Sequence, residues 1–316
     1  MDKLEQFNGN ISELSAVMQR SWAANTQEPL LYTESFLQSA LHQPGMSVDM
    51  TPAMYENGVL VVFGAVFPRH IAVAGRSWKI PVSGFLTVAL DYQKWGGLGV
   101  LVWRGLTEAA KAQGSDGMIS YCVEGDGMDP MMPRIAKVTR LPTQKIFTVR
   151  YLARPVPKNR GPFTKADSDI LLRCAKRLGE SLEFARVWTE AEAVWQCNDR
   201  DGAFGATIQN GNTEGTITAS TMLTGGAKPI RCGLVDDILW NDLELPDKKK
   251  LVDQLLDSAS ANGVELLLVP VMNYADITPF QEAGFRKTRR VLNMYLTVWN
   301  PEFPLREFTA PYIDVF

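Results

Sequence analysis

Leu86-Thr87-Val88-Ala89-Leu90-Asp91-Tyr92-Gln93-Lys94-Trp95-Gly96-Gly97-Leu98-Gly99 reads as an apolar strand that runs through a glycine-rich turn straight into a helix. Glycines in such a turn let backbone N–H groups converge on one point, and the helix N-terminus adds its positive end. That arrangement can hold a pyrophosphate without side-chain charge. The stretch lacks the lysine-bearing loop of nucleoside-triphosphate sites and fails the three-glycine dinucleotide spacing.

Outward from this stretch, segments 11–22 and 33–41 read as short helices, and 60–67, 71–74 and 82–90 as strands. After the turn come a helix from about Val100 to Ala112 and a strand at 118–123, a parallel pair with a helical crossover. Residues 130–163 hold no acid but eight bases: Arg134, Lys137, Arg140, Lys145, Arg150, Arg154, Lys158 and Arg160. A closing strand, 146–152, lies within that run, and Pro155, Pro157, Gly161 and Pro162 then break the chain. This break divides the chain into 1–157 and 158–316. The second half repeats the order: a helix from Lys165 to about Trp188, a shorter one at 189–196, and strands at 203–209, 215–223 and 230–240. A helix over 246–261, a strand at 264–269, a short helix ending at Gly284 and a strand at 291–299 follow. Thr33-Glu34 matches Thr189-Glu190, and Pro81 to Leu86 matches Ile230 to Val235. The spacing is roughly one domain length, which implies a duplication and not a solenoid.

The length of 316 residues suits two domains, and 46% hydrophobic with 21% charged residues suits a globular protein. No apolar run approaches the ~20 residues of a membrane span, and the start, Met1-Asp2-Lys3-Leu4-Glu5-Gln6, has no secretory apolar core. Cys122, Cys174, Cys197 and Cys232 are scattered without a paired spacing, so a reduced, cytoplasmic protein is expected. Residues 1–160 hold 16 Lys and Arg against 13 Asp and Glu, and the remainder 16 against 22. A small anionic ligand in the first half fits this balance; nucleic acid and membrane partners are not suggested. His42 and His70 are the only histidines, which excludes a His-rich metal site.

The loop resembles motif A of the GNAT N-acyltransferase superfamily, [Arg/Gln]-x-x-Gly-x-[Gly/Ala]. Gln93-x-x-Gly96-x-Leu98 and Lys94-x-x-Gly97-x-Gly99 are both possible registers. The resemblance implies an α/β fold of two tandem GNAT-like domains, each a mixed central sheet flanked by helices. It also implies that acetyl-CoA or another acyl-CoA is held by Val88, Leu90, Gln93, Lys94, Gly96, Gly97, Leu98 and Gly99, with no metal. In the second half, Asn273 and the helix ending in Gly284-Phe285 resemble the family's other signature, with Phe280 where a proton-donating tyrosine often stands. The counterpart of the phosphate loop there, Asp242 to Lys248, has no glycine and three acids, so the second copy is expected to be degenerate.

Acyl transfer to an amine needs a neutral amine, and a free alkyl ammonium titrates near ~10.4, so a base or desolvation must help. Backbone N–H groups around Val88 and Leu90 are candidates to polarise the thioester carbonyl. Glu124 and Asp126, at the end of the strand after the helix, are candidate bases, though Glu124-Gly125-Asp126-Gly127 also reads as a polar turn. Tyr121 is a candidate acid for the leaving thiolate. The Met131-Met132 pair, Trp95, Trp103 and Trp188 read as packing. The expected activity is transfer from acyl-CoA to the amine of a small molecule or peptide. The alternatives are an N-acyl synthase fed by an acyl carrier protein, which the acid-free basic stretch could meet, and a non-catalytic acyl-CoA-binding or assembly protein.

Overall fold

The computed structural model describes residues 4–24, 30–94, 97–225 and 228–314. In chain order its first half comprises β1 (Glu5–Gln6), α1 (Ile11–Ala23), β2 (Leu30–Leu31), α2 (Glu34–Leu41), β3 (Pro52–Glu56), β4 (Val59–Phe67), β5 (His70–Val73), β6 (Arg76–Lys79) and β7 (Val82–Val88). It continues with α3 (Leu98–Ala112), β8 (Gly117–Val123), α4 (Met132–Thr139) and β9 (Thr143–Pro155). The second half comprises α5 (Ser168–Ser181), β10 (Phe184–Val187), α6 (Glu190–Val194), β11 (Phe204–Asn210), β12 (Thr213–Thr224) and β13 (Ile230–Leu239). It closes with α7 (Leu245–Ala261), β14 (Leu266–Val271), α8 (Thr278–Glu282) and β15 (Arg286–Val298).

One 12-stranded mixed sheet runs in the order β1-β3-β4-β7-β8-β15-β9-β14-β13-β12-β11, with β2 attached to β12. Each half contributes the same series. An antiparallel meander (β3-β4-β7 or β11-β12-β13) is followed by a helix (α3 or α7) and a strand parallel to the meander's last. The closing strands are exchanged: β15 pairs with β8 of the first half, and β9 pairs with β14 of the second. β9 and β15 then pair with each other at the centre of the sheet. The α/β reading with a mixed sheet flanked by helices therefore holds. The division at 157/158 stays a proposal, and the exchange carries one strand across it in each direction.

The duplicated pairs occupy equivalent places. Thr33 and Thr189 each cap a helix, accepting from Phe36 N at 3.2 Å and Glu192 N at 3.3 Å, and Thr189 completes a capping box with Glu192. β7 and β13 are each the third meander strand.

One expectation needs correction, and one element is new. The helix read from Lys165 to Trp188 stops at Ser181, and Phe184–Val187 becomes a strand paired with His70–Val73 in a second, three-stranded sheet. That partner lies over a hundred residues away, so local periodicity does not reveal it. The basic stretch also contains α4, whose Met132 and Ile135 pack against Trp103 and Cys122.

α3 is held tightly to the sheet. Val102, Trp103, Leu106 and Ala110 are buried along one face, and each large apolar side chain so buried contributes about 1.5–3 kcal/mol. Gly64 on β4 makes the approach possible, since a Cβ there would stand 3.0 Å from Leu106.

Candidate acyl-CoA cleft and inner chamber

β7 and β8 begin as a parallel pair but stay together only at Val82–Ile119 and Ser83–Ser120. Beyond that point they separate. β7 carries a bulge where they part: Gly84 faces Ala65 and Thr87 faces Phe63, so Phe85 and Leu86 share one partner position, Gly64. Phe85 takes φ of 58°, and its ring is locked among Tyr32, Phe36 and Phe67. A bulge of this kind bends a strand and re-aims its backbone. The aromatic packing supplies the energy that holds it.

The gap is a cleft of about 460 Å³. Leu86, Val88, Leu98, Trp103, Cys122 and Met128 make its apolar wall, with Gln93, Gly99, Tyr121 and Asp126 among its polar and backbone boundary. One end lies at the N-terminus of α3, where Gly97 adopts φ of 106° and no side chain caps the helix. No acid stands in the first turn, so its amides and dipole face the cleft unopposed.

Of the sequence-derived binding residues, Val88, Gln93, Leu98 and Gly99 line this cleft; Leu90, Lys94 and Gly97 flank it without lining it. Gly96 and Trp95 lie outside the described residues. The Gln93 side chain donates to the Val88 carbonyl at 3.0 Å, tying the turn to the strand end. Of the candidate catalytic groups, Tyr121 and Asp126 line the cleft, while Glu124 is exposed and stands outside it. Asp126 accepts from Gly127 N at 2.6 Å, as the polar-turn reading expects. Tyr121 donates to the Asp314 carbonyl at 3.1 Å, and burial raises its phenol far above the ordinary range.

Cys122 is buried in the wall, and burial pushes its thiol up to about 12. It is neutral at physiological pH and cannot serve as a thiolate nucleophile. Trp103 carries a different signal: it is 1% exposed, and its indole N–H finds no acceptor among the described residues.

A smaller chamber of about 110 Å³ adjoins the cleft and shares Trp22, Ser83, Gly84, Phe85 and Tyr121 with it. Tyr32 and Phe36 add first-half walls, and Arg200, Met222 and Leu234 come from the second half. Behind it lies a buried ionic cluster. Arg200 pairs with Asp236 at 3.0 Å, Arg69 with Asp314 at 2.6 Å, and Arg186 with Asp314 at 2.9 Å and Glu192 at 3.3 Å. Sequence reasoning missed this cluster. Its one legible trace is Asp236-Asp237, two acids inside the apolar run of β13. Arg200 and Asp314 gave no local signal because their partners are distant in the chain.

The second half carries an aromatic cluster near the corresponding strands. Beyond the β13–β14 pairing, Trp240 packs on Phe280 with centroids 5.3 Å apart and Phe280 on Phe285 at 5.2 Å, all three buried. Phe280 is a core residue. α7 begins with Pro246 and Asp247 in its first turn.

No family model matches the sequence, and no curated protein matches it either. Solved structures do. N-myristoyltransferase from Saccharomyces cerevisiae, crystallised with myristoyl-CoA, superposes with a TM-score of 0.74 at 13% identity, over 93% of this chain and 82% of that one. A GCN5-related N-acetyltransferase from Anabaena variabilis gives 0.56 at 10% identity, over 94% and 73%. Eis1 from Mycobacterium abscessus gives 0.51 at 13% identity, over 96% and 75%. The chain thus has the GNAT-like fold that these N-acyltransferase structures share.

Proposed function

We propose that this protein is an N-acyltransferase that holds acyl-CoA in the β7–β8 split and passes the acyl group to an amine. The observation that carries this reading is the parting of two parallel strands directly beside an uncapped, acid-free helix N-terminus. The pyrophosphate is placed on the first-turn amides of α3, the pantetheine arm between the strands, and the thioester near the bulge at Phe85–Leu86. That position, deeper than Val88 and Leu90, is where we place carbonyl polarisation by the backbone, through the Leu86 amide. The yeast enzyme that shares the fold was crystallised with myristoyl-CoA, and the apolar wall from Leu86 to Met128 suits an acyl chain.

In the transfer, the amine nitrogen attacks the thioester carbon, the C–S bond breaks, the amine gives up a proton and the CoA thiolate takes one. Tyr121, held protonated by burial, is the group we assign to the thiolate. Asp126 at the mouth is the carboxylate we assign to proton removal, since Glu124 stands away from the cleft. With Cys122 inert, the acyl group goes directly to the amine with no enzyme-bound thioester. No helix among the described residues is long and apolar enough to cross a membrane, and we place the reaction in the cytoplasm.

The test is titration with CoA, acetyl-CoA and a long-chain acyl-CoA, followed by thiol release with a panel of amines. Absence of binding by all three would overturn the reading. A second reading, a carrier-protein donor, is favoured by the exposed Arg134, Lys137 and Arg140 on and just after α4, shortly beyond the cleft residue Met128. Faster turnover with an acyl chain on a carrier protein than on CoA would select it.

A further inference from the structure

The inner chamber is walled by groups that do not move easily. Trp22 packs edge-on to Tyr32 with centroids 5.4 Å apart, and its indole N–H donates to Thr87 Oγ1 at 3.2 Å. Tyr32 packs edge-on to Phe85 at 5.4 Å, within the bulge of β7. A wall not shared with the cleft is Arg200, which pairs with Asp236 at 3.0 Å and donates to Gln196 Oε1 at 3.2 Å. Arg200 and Asp236 are both more than nine-tenths buried. Parting them would leave an uncompensated buried charge, which is strongly destabilising. Met222 of β12 is half-buried and unbranched, so it is the wall most able to adjust.

The chamber meets the cleft at Ser83, Gly84, Phe85 and Tyr121, where the proposed function puts the thioester. Whatever enters it is therefore joined to the thioester carbon or attacks it. No carboxylate among the described residues lines the chamber, whereas Arg200 does. An ammonium would be desolvated there against apolar walls and beside a cation. The hydrocarbon of an acyl group meets no such penalty and gains by leaving water. Asp126, the carboxylate assigned to the amine, lines the cleft and not the chamber. The chamber thus suits the acyl group, and the amine approaches from the cleft mouth. Its size then limits the chain. A dry apolar cavity of about 150 Å³ holds the six carbons of benzene, so a chamber of about 110 Å³ holds about four.

We propose that the inner chamber is the acyl pocket and that it measures the chain: this protein transfers short acyl groups, up to about five or six carbons with the carbonyl included. This rests on the acyltransferase reading above. A myristoyl tail needs about three times the room, so the acyl group differs from the one bound in the yeast N-myristoyltransferase structure. Met222 is then a specificity-determining residue, because its side chain closes the space that a longer chain would need.

The experiment is calorimetric titration of the whole chain with CoA and with acetyl-, butyryl-, hexanoyl-, octanoyl- and decanoyl-CoA. Each affinity is taken relative to free CoA in the same variant, which separates the acyl pocket from the phosphate end. In the parent, relative affinity should rise by up to about fourfold per added methylene as far as hexanoyl, then fall at octanoyl. Met222→Ala should move that break to octanoyl or beyond. Met222→Trp, which fills the chamber, should move it back to acetyl. Thermal unfolding shows whether each variant is folded, and Leu234→Ala, at the other second-half wall, serves in place of Met222→Ala if that variant is not. Tighter binding of octanoyl- or decanoyl-CoA than of hexanoyl-CoA by the parent overturns the proposal while leaving the CoA site intact. So does a break that stays in place in the folded variants. Failure of the parent to bind CoA or any of its esters removes the acyltransferase reading and this proposal together.

Discussion

Single positions in the cleft separate ligand binding from folding cleanly. Gly99 lies in the first turn of α3, lines the cleft, and has nothing within 4 Å of where a Cβ would stand. Gly99→Glu therefore sends a bulky carboxylate into open space without straining the protein. We expect CoA binding to be lost while the melting temperature stays close to the parent's, checked by calorimetric titration and thermal unfolding. Gly97→Asp is a poorer probe, because φ of 106° penalises any side chain there. Trp103 offers the complementary test. Its buried N–H has no acceptor among the described residues, and a ligand carbonyl, such as a pantetheine amide, would supply one. Trp103→Phe should weaken CoA binding by about 2- to 10-fold, the worth of one hydrogen bond, alongside a stability loss from the smaller buried ring that thermal unfolding measures separately. Unaltered affinity in a folded Trp103→Phe protein would mean that no ligand group reaches the indole.

The two crossover helices differ in what they can offer an anionic ligand, and the proposed site uses α3 alone. α3 starts without an acid and opens on the parted strands; α7 starts with Asp247 behind Glu244 and is preceded by Asp242. Those acids oppose a multiply charged anion, and Trp240, Phe280 and Phe285 belong to the buried core that includes α7. One equivalent of CoA per chain is therefore expected in titration, at the α3 end. Two equivalents, or ligand density beside Pro246 in soaked crystals, would show that the halves are assigned wrongly.

Across the whole molecule, charged groups from both halves are buried together, Arg69 of the first half with Arg186 and Asp314 of the second, and titration of the buried acids makes stability depend on pH. Burial pushes Asp237 up to about 6, above its ordinary 3.8. Between those values the folded chain keeps a proton that the unfolded chain has released, so this group removes stability as pH rises through the window. Asp314 acts with the opposite sign. Burial alone would raise its carboxyl, but Arg186 and Arg69 outweigh that and hold it well below the ordinary range. Its contribution is present above 3.8 and is lost as pH falls. Denaturation midpoints measured from pH 3 to 7 should be highest near pH 4, falling below it as the Asp314 contribution is lost and declining from 4 to 6 as Asp237 penalises the folded state. Asp237→Asn should flatten the upper slope, which is worth up to about 3 kcal/mol. An unchanged slope would place the titration elsewhere.

The sequence by itself determined the local units: the glycine-rich strand–turn–helix at 86–99, the capped helix starts at Thr33 and Thr189, and the duplicated order of elements. Each is set by short-range chemistry, namely backbone freedom at glycine, side-chain caps, and hydrophobic period. It also marked Tyr121, Asp126 and Gly99, which the fold brings to one cleft. Tertiary structure alone decided the rest. The exchange of β9 and β15, the strand at Phe184–Val187 and the inner chamber all depend on partners far apart in the chain. So does the pairing of Arg200 with Asp236, because whether a charge is matched depends on what the fold places beside it. No local pattern encodes that.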